Sequence, residues 1–300
     1  MIDLGAVLTA IVTPFDAEEN LNEDAFVALM RHLAASGSDG FVVAGTTGEA
    51  STLTDSEQLA LIELAVAERP HGKTIVAGTG TNDTRHAVLL TERASALGVD
   101  AVLSVTPYYN KPSPAGLVRH YEAIAAASAV PVLLYNIPSR TATNMGPELL
   151  AELAQIDGIE GVKQANAEEL QLIDGLALYA GDDGSFARVL EMGGAGGILV
   201  ASHIVGNEMR RMVDEPDRRE GIDASLRDVY ETLFLTASPT CTKAALNLLG
   251  HDAGGLRLPI VEANERELEA VRAMLIRHKL LSGEDHAAAA GARSGPASGA

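Results

Sequence analysis

The chain has 300 residues, 47% of them apolar, and carries 22 Lys and Arg against 41 Asp and Glu, a formal net charge of −19. That charge argues against nucleic acid or an anionic membrane as partner, but not against a small anionic substrate, which responds to local groups. The single cysteine, Cys241, excludes an intrachain disulfide and fits a reducing compartment.

The first stretch, MIDLGAVLTAIVTPFDAEEN, lacks a basic leader and turns acidic early, so it does not read as a signal peptide. No apolar run approaches the roughly 20 residues of a membrane span, and the expected location is cytoplasmic. Short apolar runs then recur along the chain. They are AVLTAIV from Ala6, GFVVA from Gly40, TIVAG from Thr74, AVLSV from Ala101, VLLY from Val132, IEGVK from Ile159, ALYA from Ala177 and GILV from Gly197. Most are rich in β-branched residues and do not alternate polar with apolar, as expected of parallel strands buried on both faces.

Amphipathic stretches separate these runs. Asp55 is read as the N-cap of SEQLALIELAVAE and Asp83 as that of TRHAVLLTERASAL, while Pro114 and Pro147 stand where a first helical turn tolerates proline. Eight strand–helix repeats with short connections imply an α/β fold, a (β/α)8 TIM barrel whose eighth helix runs from about Ser202 to Val213. A doubly wound open sheet has fewer strands on average and would leave some of the runs unexplained. Three further helices are expected in DRREGIDASLRDVYETLFLT, TCTKAALNLL and ERELEAVRAMLIRH. The expected organisation is a catalytic barrel over 1–225, a C-terminal helical domain over 226–281, and a low-complexity, disordered tail over 282–300.

In such barrels the active site lies at the C-terminal ends of the strands. The second strand ends in AGTTGEAS, where Thr46, Thr47 and two glycines make either an ordinary βα turn or a small anion cradle. It lacks the spacing of a nucleotide P-loop. The fourth ends in TPYYNKPS, with Tyr108 and Tyr109 in a Pro-bounded loop, and the fifth in LYNIPSRT, with Tyr135 at the tip and Arg140 beyond. These tyrosines are either core residues or phenols that relay protons, and the guanidinium offers a planar fork for a carboxylate. The sixth ends in Lys163, which either snorkels to water or is a buried, reactive amine. Gly181 and the cluster Gly193–Gly197 at the seventh and eighth strands make either room for a ligand or tight turns.

Metal and other covalent chemistries find little support. The eight histidines form no H-E-x-x-H pair, Cys241 is alone, and there is no G-x-S-x-G elbow. His32, His86 and His203 fall in expected helices and read as structural or surface residues. Asp182 and Asp183 could bind a cation but are read as caps of the following helix. An amine nucleophile with phenol and hydroxyl relays remains, a combination suited to Schiff-base formation with a carbonyl substrate.

The motifs GTTGE, TPYYNKPS, YNIPSRT, GVKQA, GDD, GGAGGI and LRLP together resemble the dihydrodipicolinate (4-hydroxy-tetrahydrodipicolinate) synthase family, over roughly Leu4 to Leu281. That family belongs to the pyruvate-dependent class I aldolases typified by N-acetylneuraminate lyase. The resemblance implies a TIM barrel with a C-terminal helical domain. It implies a lyase of lysine and diaminopimelate biosynthesis that condenses pyruvate with L-aspartate-4-semialdehyde, with no cofactor and no metal. It further implies that Lys163 forms the imine, that Thr46, Tyr109 and Tyr135 relay protons, and that Thr47 holds the pyruvate carboxylate. Arg140 would bind the semialdehyde carboxylate, and Gly181 and Ile198 would line the pyruvate pocket. It implies a homotetramer, a dimer of dimers, in which Tyr109 reaches a neighbouring subunit's site.

Arg140 favours the synthase over neuraminate lyases and sugar-acid aldolases. The enzymatic alternative is another pyruvate-dependent aldolase, such as one acting on 2-keto-3-deoxy sugar acids, and the non-enzymatic one is a keto-acid-binding barrel. Two segments depart from the family pattern: Gln164 replaces a common acidic residue, and TASPTCTKAAL replaces a frequent NPIPVK. His86 stands where lysine-sensitive members use a glutamate, close to Asn82 and Tyr108. Weak or absent inhibition by L-lysine is therefore expected, unless Asp55 supplies the missing acid.

Overall fold

Each of the eight apolar runs forms a strand: β1 (Val7–Ala10), β2 (Gly40–Val43), β3 (Thr74–Gly78), β4 (Ala101–Val105), β5 (Val132–Asn136), β6 (Ile159–Gln164), β7 (Ala177–Ala180) and β8 (Gly196–Leu199). All pair in parallel and in sequence order, and β8 returns to β1 with Val7 opposite Gly197, closing the barrel. The computed structural model describes residues 2–282, so the expected tail, apart from Ser282, lies outside the described residues.

Alternate residues point to opposite faces of a strand. One set, including Leu8, Val42, Val76, Leu133, Tyr135 and Tyr179, fills the barrel. The other packs beneath the helices in a larger cluster that includes Phe41, Ile75, Val102, Leu134 and Val162. Burial of both faces is why the strands carry no polar alternation.

The outer layer consists of α1 (Glu23–Ala35), α2 (Asp55–Ala67), α3 (Thr84–Ser95), α4 (Pro114–Ala127), α5 (Pro138–Thr141), α6 (Pro147–Leu153), α7 (Phe186–Glu191) and α8 (Ser202–Asp214). Asp83 caps α3 by accepting the Arg85 N–H, and Pro114 and Pro147 open α4 and α6. The cap of α2 is Thr54 and not Asp55. The Thr54 hydroxyl accepts the Glu57 N–H while the Glu57 carboxylate accepts the Thr54 N–H, a reciprocal pair that places Asp55 inside the first turn. There its charge still favours the positive end of the helix.

The sixth connection departs from the strand–helix repeat. Only a short 3-10 turn, Ala167–Glu169, follows β6. Between Ala165 and Leu176 only Leu170, Ile173 and Leu176 are buried apolar residues, too few for a helix that would cover the strand. The fifth connection compensates with two helices, α5 and α6.

Beyond the barrel come α9 (Arg219–Leu233), α10 (Thr240–Leu248) and α11 (Glu265–Arg277). Helix α9 runs unbroken through position 225 and packs on α8 and α11, and α10 packs on α11, α8 and α9. Among the described residues, no helix is long and apolar enough to cross a membrane.

Candidate active site

The barrel register brings the chemistry together. Tyr135 on β5 lies opposite Lys163 on β6, which lies opposite Tyr179 on β7. The Lys163 Nζ stands 4.3 Å from the centre of the Tyr135 ring. A cavity of about 420 Å³ surrounds the amine, and its wall includes Thr46, Tyr108, Tyr135, Arg140 and Lys163. These residues stand at or just beyond the C-terminal ends of β2, β4, β5 and β6.

Lys163 does not snorkel; it is only 6% exposed. Burial pushes its ammonium down to about 8; Asp183 and Asp182 resist the shift and the Arg140 charge adds to it. Roughly a tenth of the side chain is then free amine at neutral pH, against about one part in three thousand for an ordinary lysine. Burial pushes the Tyr135 phenol the other way, up to about 12, against the pull of Arg140 and of the nearby Thr46 side chain. The pair therefore consists of an amine that readily sheds its proton and a phenol that keeps one to give.

The Thr46 loop is shaped by backbone bonds. The Glu49 N–H donates to Thr46 O at 3.1 Å and the Ala50 N–H to Gly45 O at 3.3 Å, which puts Thr47 and Gly48 at the crest of the turn. The Thr13 hydroxyl holds Gly48 O at 2.7 Å. Thr46 is exposed on the cavity side, whereas Thr47 is buried.

Of the eight expected residues, Lys163, Tyr135, Thr46 and Arg140 share one cavity wall. Ile198 on β8 belongs to the barrel interior, and Gly181 directly follows β7. A Cβ on Gly181 would fall 2.6 Å from that of Ala165, and one on Gly196 would fall 2.2 Å from Ala6 O, so these glycines serve close backbone packing. Tyr109 stands apart: it is 89% exposed, with φ 75, at the tip of a turn in which Asn110 bonds Tyr108 O and Asn82 O.

A sequence profile of the dihydrodipicolinate synthetase family matches residues 3–278. The chain belongs to that family. It is 43% identical over 292 residues to a 4-hydroxy-tetrahydrodipicolinate synthase of Desulforudis audaxviator, a match spanning 93% of this chain and 99% of the relative. It is 40% identical over 291 residues to 4-hydroxy-tetrahydrodipicolinate synthase 2 of Halalkalibacterium halodurans, spanning 93% and 100%. Among solved structures it is similar to the lysine-bound enzyme of the same family from Cyanidioschyzon merolae, at 38% identity and a TM-score of 0.88, covering 93% of this chain and 99% of that one.

The hydrogen bonds around the site give several further residues roles that motif reading left open. Asp182 caps the turn after β7, accepting the Ser185 N–H at 3.0 Å. Asp183 does not cap that turn. It is buried and accepts the N–H groups of Val200 and Ala201, and burial pushes its carboxyl up to about 6. Its position in the GDD motif was visible, but its partners beyond β8 were not. Gln164, the family departure, accepts from the Asn136 side chain and the Asn166 N–H, both at 3.0 Å, in a buried amide network behind the lysine. His203 is structural: its Nε2 accepts the Val12 N–H, so its Nδ1 carries the proton donated to Val200 O. His86 bonds Asp55 at 2.9 Å, and both line the far end of the cavity. Among the described residues, no three His, Cys, Asp or Glu side chains are grouped as metal ligands.

Proposed function

We propose that the chain is a cytoplasmic 4-hydroxy-tetrahydrodipicolinate synthase, joining pyruvate to L-aspartate-4-semialdehyde through a Schiff base on Lys163. The observation that carries this reading is the buried Lys163 amine against the Tyr135 ring, in a cavity that also holds Arg140. The free amine attacks the ketone carbon of pyruvate, and water leaves to give a protonated imine. That cation draws electrons from the methyl group, which loses a proton and becomes an enamine. The enamine carbon attacks the aldehyde carbon of the semialdehyde. The semialdehyde's own amine then displaces Lys163 as the ring closes, and the lysine is regenerated.

Tyr135 and Thr46 move protons at each stage, which their places on one cavity wall and the phenol's retained proton support. The turn crest at Thr47 receives the pyruvate carboxylate, and the Arg140 fork takes that of the semialdehyde. In a chain of net charge −19, these two sites concentrate positive potential where two anions must meet. Tyr109 completes the relay in a neighbouring subunit of a homotetramer; its near-complete exposure in a single chain supports that placement.

The test is mass spectrometry after incubation with pyruvate and borohydride, alongside a coupled assay with semialdehyde and with 2-keto-3-deoxy sugar acids. One reduced pyruvate per wild-type chain, none on Lys163→Ala, and turnover of semialdehyde alone are expected. An unlabelled wild-type chain would refute the reading.

A further inference from the structure

The Thr46–Thr47 loop is fastened from outside the barrel. It leaves β2 through Ala44 and ends at Glu49, two residues with side chains held in left-handed backbone, φ 53 and 55. Such conformations are uncommon away from glycine and persist where the surroundings fix them. For Glu49 the surroundings belong to the C-terminal segment. One carboxylate oxygen lies 2.7 Å from the Lys243 Nζ on α10, with the two side chains 0% and 2% exposed. The other accepts the Arg257 backbone N–H at 3.2 Å. Lys243 also donates to Gly255 O at 2.6 Å and stands 4.3 Å over the Phe15 ring. The Arg257 guanidinium continues the network to Thr52 O and the Glu57 carboxylate.

Stability alone gives no reason for this arrangement, because a well-packed apolar pair of similar volume would avoid the desolvation of two charges. The ion pair supplies direction instead. A carboxylate gripped at both oxygens fixes the Glu49 backbone, and the Glu49 N–H closes the turn on Thr46 O. We propose that Glu49 and Lys243 are positioning residues, whose buried ion pair ties the docking of α10 to the loop. It thereby sets the Thr46 hydroxyl against Tyr135 and the Thr47 backbone against the substrate carboxylate. The inference rests on the pyruvate reading above and adds to it a dependence of the catalytic loop on the C-terminal helices.

The deciding variant is Glu49→Asp, which keeps the charge and withdraws it by one methylene. Its kcat/KM for pyruvate is expected to fall at least about tenfold, as small misplacements of reacting groups do. Amide hydrogen exchange over residues 45–49 quickens, while saturating pyruvate with borohydride still labels Lys163, which stands on β6. Leu153→Ala opens a hole beneath α6, away from the C-terminal helices, and is the comparison: its melting temperature falls and its kcat/KM stays at the wild-type value. A folded Glu49→Asp variant within about twofold of wild-type kcat/KM overturns the proposal, as does an equal loss in Leu153→Ala. If Glu49→Asp does not fold, the same limits apply to the neutral pair Glu49→Gln with Lys243→Gln. A wild-type chain that pyruvate and borohydride leave unlabelled removes the pyruvate reading itself, a result distinct from either.

Discussion

A buried ammonium destabilises a fold, and Lys163 is enclosed by the barrel interior. With its pKa at about 8 in the fold and 10.5 when unfolded, the cost at neutral pH is about 3 kcal/mol. The unfolded chain binds the extra proton between those two values, so the penalty is full below pH 8 and fades as pH rises toward 10.5. Lys163→Met should therefore melt several degrees above the wild type at pH 7 and lose that advantage by pH 10, while forming no pyruvate adduct. Melting curves at the two pH values check this; a variant that melts lower at neutral pH would show that contacts of the amine outweigh its desolvation. His86 carries the second prediction at this scale. The Asp55 carboxylate is already bonded to the His86 ring, so a cationic effector in this cavity meets an occupied acid instead of a free one. Millimolar L-lysine should inhibit weakly, and His86→Glu should sharpen the inhibition curve; strong inhibition of the wild type would show that Asp55 substitutes for the glutamate.

Elements differ in how much of them a sequence can disclose. The strands and long helices were legible because their signals are local: unbroken apolar runs for strands buried on both faces, and caps such as Asp83 and Pro114 at helix starts. Strand ends were legible for the same reason, and so Lys163, Tyr135 and Thr46 could be nominated before their contacts were known. The sequence puts the cap of α2 one residue late because Thr54 and Asp55 both suit the position, and only the reciprocal bond to Glu57 decides between them. What was hidden depends on contacts between distant residues. Glu49 reads as the last letter of a motif, yet Arg257, which grips it, lies 208 positions away. Asp183 likewise looks like a second cap until β8 folds back to offer it two amides. The exposed Tyr109 is a third case, since nothing within one chain gives its ring a task.

At the scale of the whole molecule, acid should loosen the fold through its buried histidines. His120 and His203 are buried on opposite parts of the helical layer, in α4 and α8, and burial pushes both imidazoles down to about 4. Each accepts no proton in the fold until well below the 6.5 at which the unfolded chain takes one up. Stability is thus complete above pH 6.5, falls as pH drops toward 4, and levels off below that, by about 3 kcal/mol for each ring. Asp183 acts in the opposite sense: with its carboxyl raised to about 6 it binds a proton more readily folded than unfolded, which returns stability between pH 6 and 3.8. One carboxyl against two imidazoles leaves a net loss of about 3 kcal/mol, a large share of the 5–15 kcal/mol that holds a typical protein folded. Glu57, held down to about 2 by Arg257, adds its loss only below pH 4.5. Decline that starts near pH 6 is therefore the mark of the imidazoles. In the His120→Leu variant, whose side chain no longer protonates, the melting temperature should fall less steeply between pH 6.5 and 4.5 than in the wild type. A wild-type melting temperature that stays flat across that interval would mean that only one ring is held neutral by its burial, offset by Asp183, and one that rises would mean that neither is.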